Sequence, residues 1–188
     1  MGNGTTDDTA AIQRAIQNLV TSDATADARR TLYFPAGTYK VTGAEIKIYP
    51  FTTILGDGAE QTIIKQTDAS QDYVARTVDS GGNTGANIGS GSNTVPQHID
   101  ITGISFESEG SNSGLLLDRA KHVRLTDCKF KSTWAQGDAL GSGHKGVDAE
   151  SSGINLTKHI TFNHCTFTGI QYAFSTDYDV ESVNFQNC

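Results

Sequence analysis

The chain has 188 residues, with 14 Lys and Arg against 21 Asp and Glu, a formal charge of −7, and apolar residues make up only 36% of it. The deficit is filled by 20 Gly, 23 Thr, 15 Ser and 10 Asn, residues poor in helix propensity, which excludes a helix bundle, while three prolines and 19% charged residues exclude charge-driven disorder. One domain with one core is expected, and the acidic balance argues against a nucleic-acid or anionic-membrane binder, which would need a basic patch.

Ile12, Ala15, Ile16, Leu19 and Val20 fall at helical spacing and predict an N-terminal helix over about residues 7–20, inside a cap spanning 1–30. Thr6, Asp7 and Asp8 stand before it as capping oxygens and as negative charge near the positive helix end. From Thr31 the pattern changes to short β-runs over 31–188. Leu32-Tyr33-Phe34 meets a Pro35-Ala36-Gly37 turn, Tyr39 and Val41 and then Ile46 and Ile48 alternate, and Thr52–Leu55 and Thr62–Lys65 flank Gly56-Asp57-Gly58. Residues 79–94, rich in glycine, read as a long exposed loop.

An internal repeat decides the fold class. His98-Ile-Asp-Ile-Thr-Gly-Ile-Ser-Phe106 aligns with His122–Phe130 and His159–Phe167, and Ser182–Cys188 is a fourth, shorter copy. Positions two and four are apolar, the phase slips by one, and positions seven and nine are apolar. The slip falls at Gly103, Asp127, His164 and Asn187, types that tolerate left-handed backbone, so this column reads as a corner. Short strands meeting at a fixed corner at offsets of 24, 37 and 23 residues are the signature of a right-handed parallel β-helix, an all-β solenoid. The larger offset places an insertion at Thr133–Ser152. A further strand set is expected at Leu115–Leu117, Ile154–Leu156 and Ile170–Phe174, introduced by Gly114, Gly153 and Gly169, giving three faces.

Gly2-Asn-Gly-Thr-Thr-Asp-Asp-Thr-Ala-Ala-Ile-Gln13, Leu32-Tyr-Phe-Pro-Ala-Gly-Thr-Tyr39 and Leu55-Gly-Asp-Gly58 resemble, in order, three motifs of pectate-lyase-superfamily β-helix proteins, which include phage tailspikes and capsular depolymerases. The resemblance covers essentially the whole chain and implies a carbohydrate-facing surface along the solenoid, frequently in a homotrimer. Its polygalacturonase-like branch carries Asn-Thr-Asp, Asp-Asp, Gly-His-Gly and Arg-Ile-Lys motifs. Here Ser175-Thr176-Asp177 and Gly143-His144-Lys145 match in part, Asp7-Asp8 belongs to the cap, and no Arg-Ile-Lys occurs. The fold hosts many reactions, so function must be argued from a site.

Sugar sites pair an aromatic platform with two carboxylates, one acting as acid and the other as base or nucleophile. The insertion holds the only tryptophan, Trp134, with Asp138, His144, Asp148 and Glu150. Asp138 and Asp148 are the expected acid–base pair; Trp134, His144, Glu150, Tyr172 and Asp177 are the expected substrate contacts. No cofactor is expected, and no metal: a straight His98–His122–His159 ladder cannot converge its nitrogens at about 2 Å, and no calcium cage accompanies Arg119 and Arg124.

The expected role is a bacteriophage tailspike or fibre segment that binds, and if catalytic cleaves, a bacterial surface polysaccharide as lyase or glycosidase. A secreted polysaccharide lyase or glycosidase and a non-catalytic virion protein are the alternatives. The start lacks a signal peptide's basic and apolar regions, and no apolar run approaches the roughly 18 residues that cross a bilayer, so virion location without membrane insertion is expected, with secretion as the alternative. Cys128, Cys165 and Cys188 share position seven and are expected as reduced core residues. The last repeat lacks the aromatic found at 106, 130 and 167, so more chain or another subunit, as in a homotrimer, is expected to cover that end.

Overall fold

Period-two alternation interrupted by left-handed corners winds this chain into stacked coils. The structure is a computed structural model, and it describes residues 2–21, 30–110, 112–135, 137, 143–151 and 156–188. A short strand, β1 (Asn3–Asp7), and a helix, α1 (Thr9–Thr21), open it. The coils follow as β2 (Arg30–Phe34), β3 (Gly37–Val41) and β4 (Ile46–Ile48); β5 (Thr52–Gly56), β6 (Thr62–Gln66) and β7 (Tyr73–Thr77); β8 (Gln97–Thr102), β9 (Ser105–Ser108) and β10 (Ser113–Asp118). Then come β11 (Lys121–Thr126), β12 (Lys129–Lys131) and β13 (Lys145–Glu150); β14 (Thr157–Asn163), β15 (Thr166–Thr168) and β16 (Tyr172–Asp177); and β17 (Val180–Gln186).

Each strand pairs in parallel with its counterparts one coil away. Sheet I runs β2-β5-β8-β11-β14-β17, sheet II β1-β3-β6-β9-β12-β15, and sheet III β4-β7-β10-β13-β16. This is a three-faced parallel β-helix. The expected corner is present: Gly103, Asp127, His164 and Asn187 have φ of 67°, 50°, 52° and 54° between sheets I and II. Without that left-handed residue the alternation would continue in phase and expose Ile104, Cys128 and Cys165, which are instead buried beside Ile101, Leu125 and Phe162.

Phenylalanines stack from coil to coil, Phe106 on Phe130 at 5.6 Å and Phe130 on Phe167 at 5.3 Å. Glycines make room for them: a Cβ on Gly146 would lie 2.6 Å from both the Ala173 carbonyl oxygen and the Phe167 ring.

At the first coil, α1 buries Ile12 and Ile16, and its Gln13 side chain exchanges two hydrogen bonds with the backbone of Lys47 on edge strand β4. An unpaired strand edge is thereby partly satisfied. Asp7 accepts the Thr9 N–H, while Asp8, whose carbonyl starts the helix, gives its carboxylate to the Gly2 N–H.

Three expectations are corrected. The strand between β10 and β16 is β13, Lys145–Glu150, not Ile154–Leu156, and Gly146 rather than Gly153 follows Gly114 in the column; residues 152–155 lie outside the described residues. The presumed insertion therefore contains a coil strand. The 79–94 segment is anchored, not simply exposed: the Asp79 carboxylate is fully buried, accepting the N–H groups of Gly81, Asn83 and Gly89 and the Asn83 amide, and Ile88 is buried too. Finally, Cys128 and Cys165 are free buried thiols as expected, but Cys188 is exposed because no further strand stacks on it among the described residues.

Candidate functional site

Sheet III gathers the charged chemistry on its outer face. In β13, Val147 and Ala149 enter the core, so Asp148 and Glu150 point the other way. Parallel register then lines up Asp118, Glu150 and Asp177 on three successive coils, and Arg76, Leu116, Asp148 and Ser175 two residues earlier. One carboxylate oxygen from each of Asp148, Glu150 and Asp177 lies within 4.8 Å of the other two.

These carboxylates differ in environment. Asp148 is fully buried and saturated: its Oδ2 accepts the Tyr73 hydroxyl at 2.7 Å and the Lys145 ammonium at 2.5 Å, and its Oδ1 accepts the Ser175 hydroxyl at 2.5 Å. Tyr73 lies two coils below, so this bond crosses the β10 strand and ties coils together. Burial, then the bond to Asp148, pushes the Tyr73 phenol far above its ordinary range.

Glu150 is half-buried. Burial, with the charges of Asp118, Asp148 and Asp177, raises its carboxyl above the usual value, and Arg76 opposes this. Asp177 is exposed. Asp118, only 2% exposed, is likewise raised by burial; it accepts the Gly85 N–H at 3.0 Å, so the 79–94 segment forms one wall of this face. Arg76 pairs with Glu45 at 3.2 Å, and Lys47 donates to the Gly82 carbonyl on the same wall.

Of the residues singled out in the sequence, Asp148, Glu150 and Asp177 converge, and Tyr172, 45% exposed, neighbours Lys145 in register. His144 lies just before β13 with φ of 58°; its Nδ1 is 2.8 Å from the Ser132 hydroxyl, and its carbonyl accepts the Gln171 N–H. Trp134 is half-buried, its backbone N–H held by the Gly169 carbonyl. Asp138 lies outside the described residues. The three-carboxylate group is the one able to hold a cation among the described residues, although the Lys145 ammonium already occupies Asp148 Oδ2.

Sequence reasoning missed Tyr73, Arg76 and Asp118, and took Ser175 only as part of a partial motif match. A signal was present. Gly114-Leu-Leu-Leu-Asp118, Gly146-Val-Asp-Ala-Glu150 and Ala173-Phe-Ser-Thr-Asp177 each start on a small residue and end on an acid.

Stacked coils of this kind, in three parallel sheets, define a parallel β-helix. The whole chain, residues 1–188, matches the family described as rhamnogalacturonase A/epimerase, pectate lyase-like, and belongs to it. Among its relatives are a probable glucan endo-1,3-beta-glucosidase of Arthroderma benhamiae, 27% identical over 215 residues, and mannuronan C5-epimerase AlgE3 of Azotobacter vinelandii, 36% identical over 197. Both matches take in all of this chain but only 24% and 10% of those proteins. Among solved structures, ORF18 of Geobacillus virus E2 shares the fold at a TM-score of 0.65 and 22% identity, over 98% of this chain and 38% of that one. The chain thus spans a minor part of each relative.

Proposed function

We propose that this chain belongs to a bacteriophage tailspike or tail fibre, that it binds a bacterial surface polysaccharide along the outer face of sheet III, and that it hydrolyses the polymer there. The carrying observation is the meeting of Glu150, half-buried with a raised carboxyl, and exposed Asp177 on the adjacent strand. Two carboxyl groups with diverging environments divide the labour of acid and nucleophile.

Glu150 is the proton donor to the departing sugar oxygen and Asp177 the nucleophile. One oxygen of each lies within 4.8 Å of the other, so the two carboxylates converge closely enough to flank one glycosidic bond. The close approach favours the retaining geometry over the inverting one, which leaves room for a water. Asp148 holds β13 in place through Tyr73, Lys145 and Ser175 rather than meeting sugar. Tyr172 and Trp134 supply stacking surfaces, and His144 fixes the approach to β13. The Tyr73 hydroxyl and Lys145 ammonium are committed to Asp148, so neither is free to serve as the base of a lyase. The relatives named above, a probable glucan endo-1,3-beta-glucosidase and a mannuronan C5-epimerase, support a carbohydrate substrate. Free buried thiols fit synthesis in a reducing compartment and support the virion reading.

A secreted glycosidase is the second reading, favoured by the name of the fungal relative. Mass spectrometry of purified virions against culture supernatant separates the two. The chemistry is tested by Glu150→Gln on a panel of surface polysaccharides: turnover should fall by about 10²–10⁴-fold with oligosaccharide binding kept. Products of the wild type should retain anomeric configuration; unsaturated ends would contradict hydrolysis, and full activity of the variant would remove Glu150 as acid.

A further inference from the structure

A second titratable array runs along sheet I, away from the carboxylates. His98, His122 and His159 occupy one column on successive coils, each in left-handed backbone, with φ of 53°, 55° and 58°. Their rings stack face to face with centroids 4.8 Å apart at both steps and interplanar angles of 6° and 15°. Phe51, with φ of 60°, extends the stack below at 5.5 Å from His98, and Ser182, with φ of 57°, holds the corresponding position above. The ring separation equals the strand spacing of a sheet, so the hydrogen-bonded coils set the interval at which the rings stack.

We propose that these three histidines form a pH-sensitive seam, which joins the coils while the rings are neutral and loosens them when the rings are protonated. Two positive charges on adjacent rings would face one another at the stacking distance. The charged groups beside the column are cationic or set against cations: Lys121 and Lys158 flank it on their own coils, Asp100, two residues beyond His98, lies 3.9 Å from the Arg124 guanidinium, and Glu181 pairs in register with Lys158. Phe51 and Ser182 at the ends carry no charge. Burial, and then the neighbouring His98, His159, Lys158 and Lys121, hold the central imidazole below the ordinary histidine range. The unfolded chain therefore binds the proton more readily than the folded one. The seam's contribution is complete above about pH 6.5 and is lost as pH falls through the depressed value.

The test uses the whole chain. Histidine ring resonances followed by NMR against pH should give His122 a midpoint below the ordinary histidine value. Thermal melts should fall between neutral pH and about pH 5 more for wild type than for His122→Asn, which keeps the left-handed backbone. Should the variant not fold, the wild-type titration decides alone. A His122 midpoint at or above the ordinary histidine value, or equal acid losses in wild type and variant, would overturn the seam.

Discussion

Asp148 and Glu150 stand two residues apart on one face of β13, yet the chain treats them oppositely. Asp148 has three donors and no exposure, so its removal strands a mostly buried Lys145 ammonium and the Tyr73 hydroxyl. Asp148→Ala should destabilise the protein by about 3–5 kcal/mol, measured by urea unfolding, because breaking a buried ion pair leaves an uncompensated charge. A loss near zero would show that water replaces the carboxylate freely. Glu150 is instead surrounded by like charges, and its folded carboxyl titrates higher than the unfolded one. Its favourable contribution is present below the unfolded value of about 4.3 and is lost as pH rises through the raised folded value. Glu150→Gln should therefore raise the melting temperature near neutrality and leave it nearly unchanged in acid. Under the proposed hydrolysis the same proton would set activity, so turnover should decline as pH rises through the raised Glu150 value, and an unchanged alkaline limb in Glu150→Gln would assign that proton elsewhere.

The element scale is governed by columns. At the sheet I–II corner a side chain must accept positive φ, so His164→Val should cost about 1–2 kcal/mol whereas His164→Gly should carry no such strain. Phe130, buried between Phe106 and Phe167, should cost about 3–5 kcal/mol on truncation to alanine, read by the same unfolding curves. Equal behaviour of the valine and glycine variants would mean that the corner relaxes. These columns were legible in the sequence because sheets I and II carry the phase slip in an uninterrupted run of nine residues, as in His122–Phe130. Sheet III was less legible. Its strands follow connections of unequal length, and between β12 and β13 thirteen residues, 132–144, intervene, so the Ile154–Leu156 run competed with Lys145–Glu150 for one slot. Val147 and Ala149 are weak apolar markers, and the acid ending each strand resembles an ordinary turn residue. The site lies on that sheet, so Asp148, Glu150 and Asp177 were found as single acids while the register joining them to Asp118, and the reach of Tyr73 across a coil, needed the three-dimensional winding.

For the whole molecule, stacking order decides which groups solvent can reach. Cys128 and Cys165 lie between coils, and the neighbouring Cys165 together with burial keeps the Cys128 thiol well above its ordinary range, whereas Cys188 is exposed. Thiol titration should therefore give one fast equivalent and two more only after unfolding; three fast equivalents would refute this packing. Tyr172 and Phe185, each 45% exposed, and Tyr178 at 82% gather on β16, β17 and the turn between them. Further chain, a homotrimer or another subunit covering this surface would protect them; a covering subunit should register as assembly in sedimentation at increasing concentration, and a strict monomer would assign the cover to further chain. The outer face of sheet III carries the functional proposal, and backbone-amide NMR with oligosaccharides prepared from a bound surface polysaccharide examines it most directly. Perturbed amides should cluster on β10, β13 and β16 around Asp118, Glu150 and Asp177, with little change on sheet I. Perturbations confined to sheets I and II would contradict the proposed binding face.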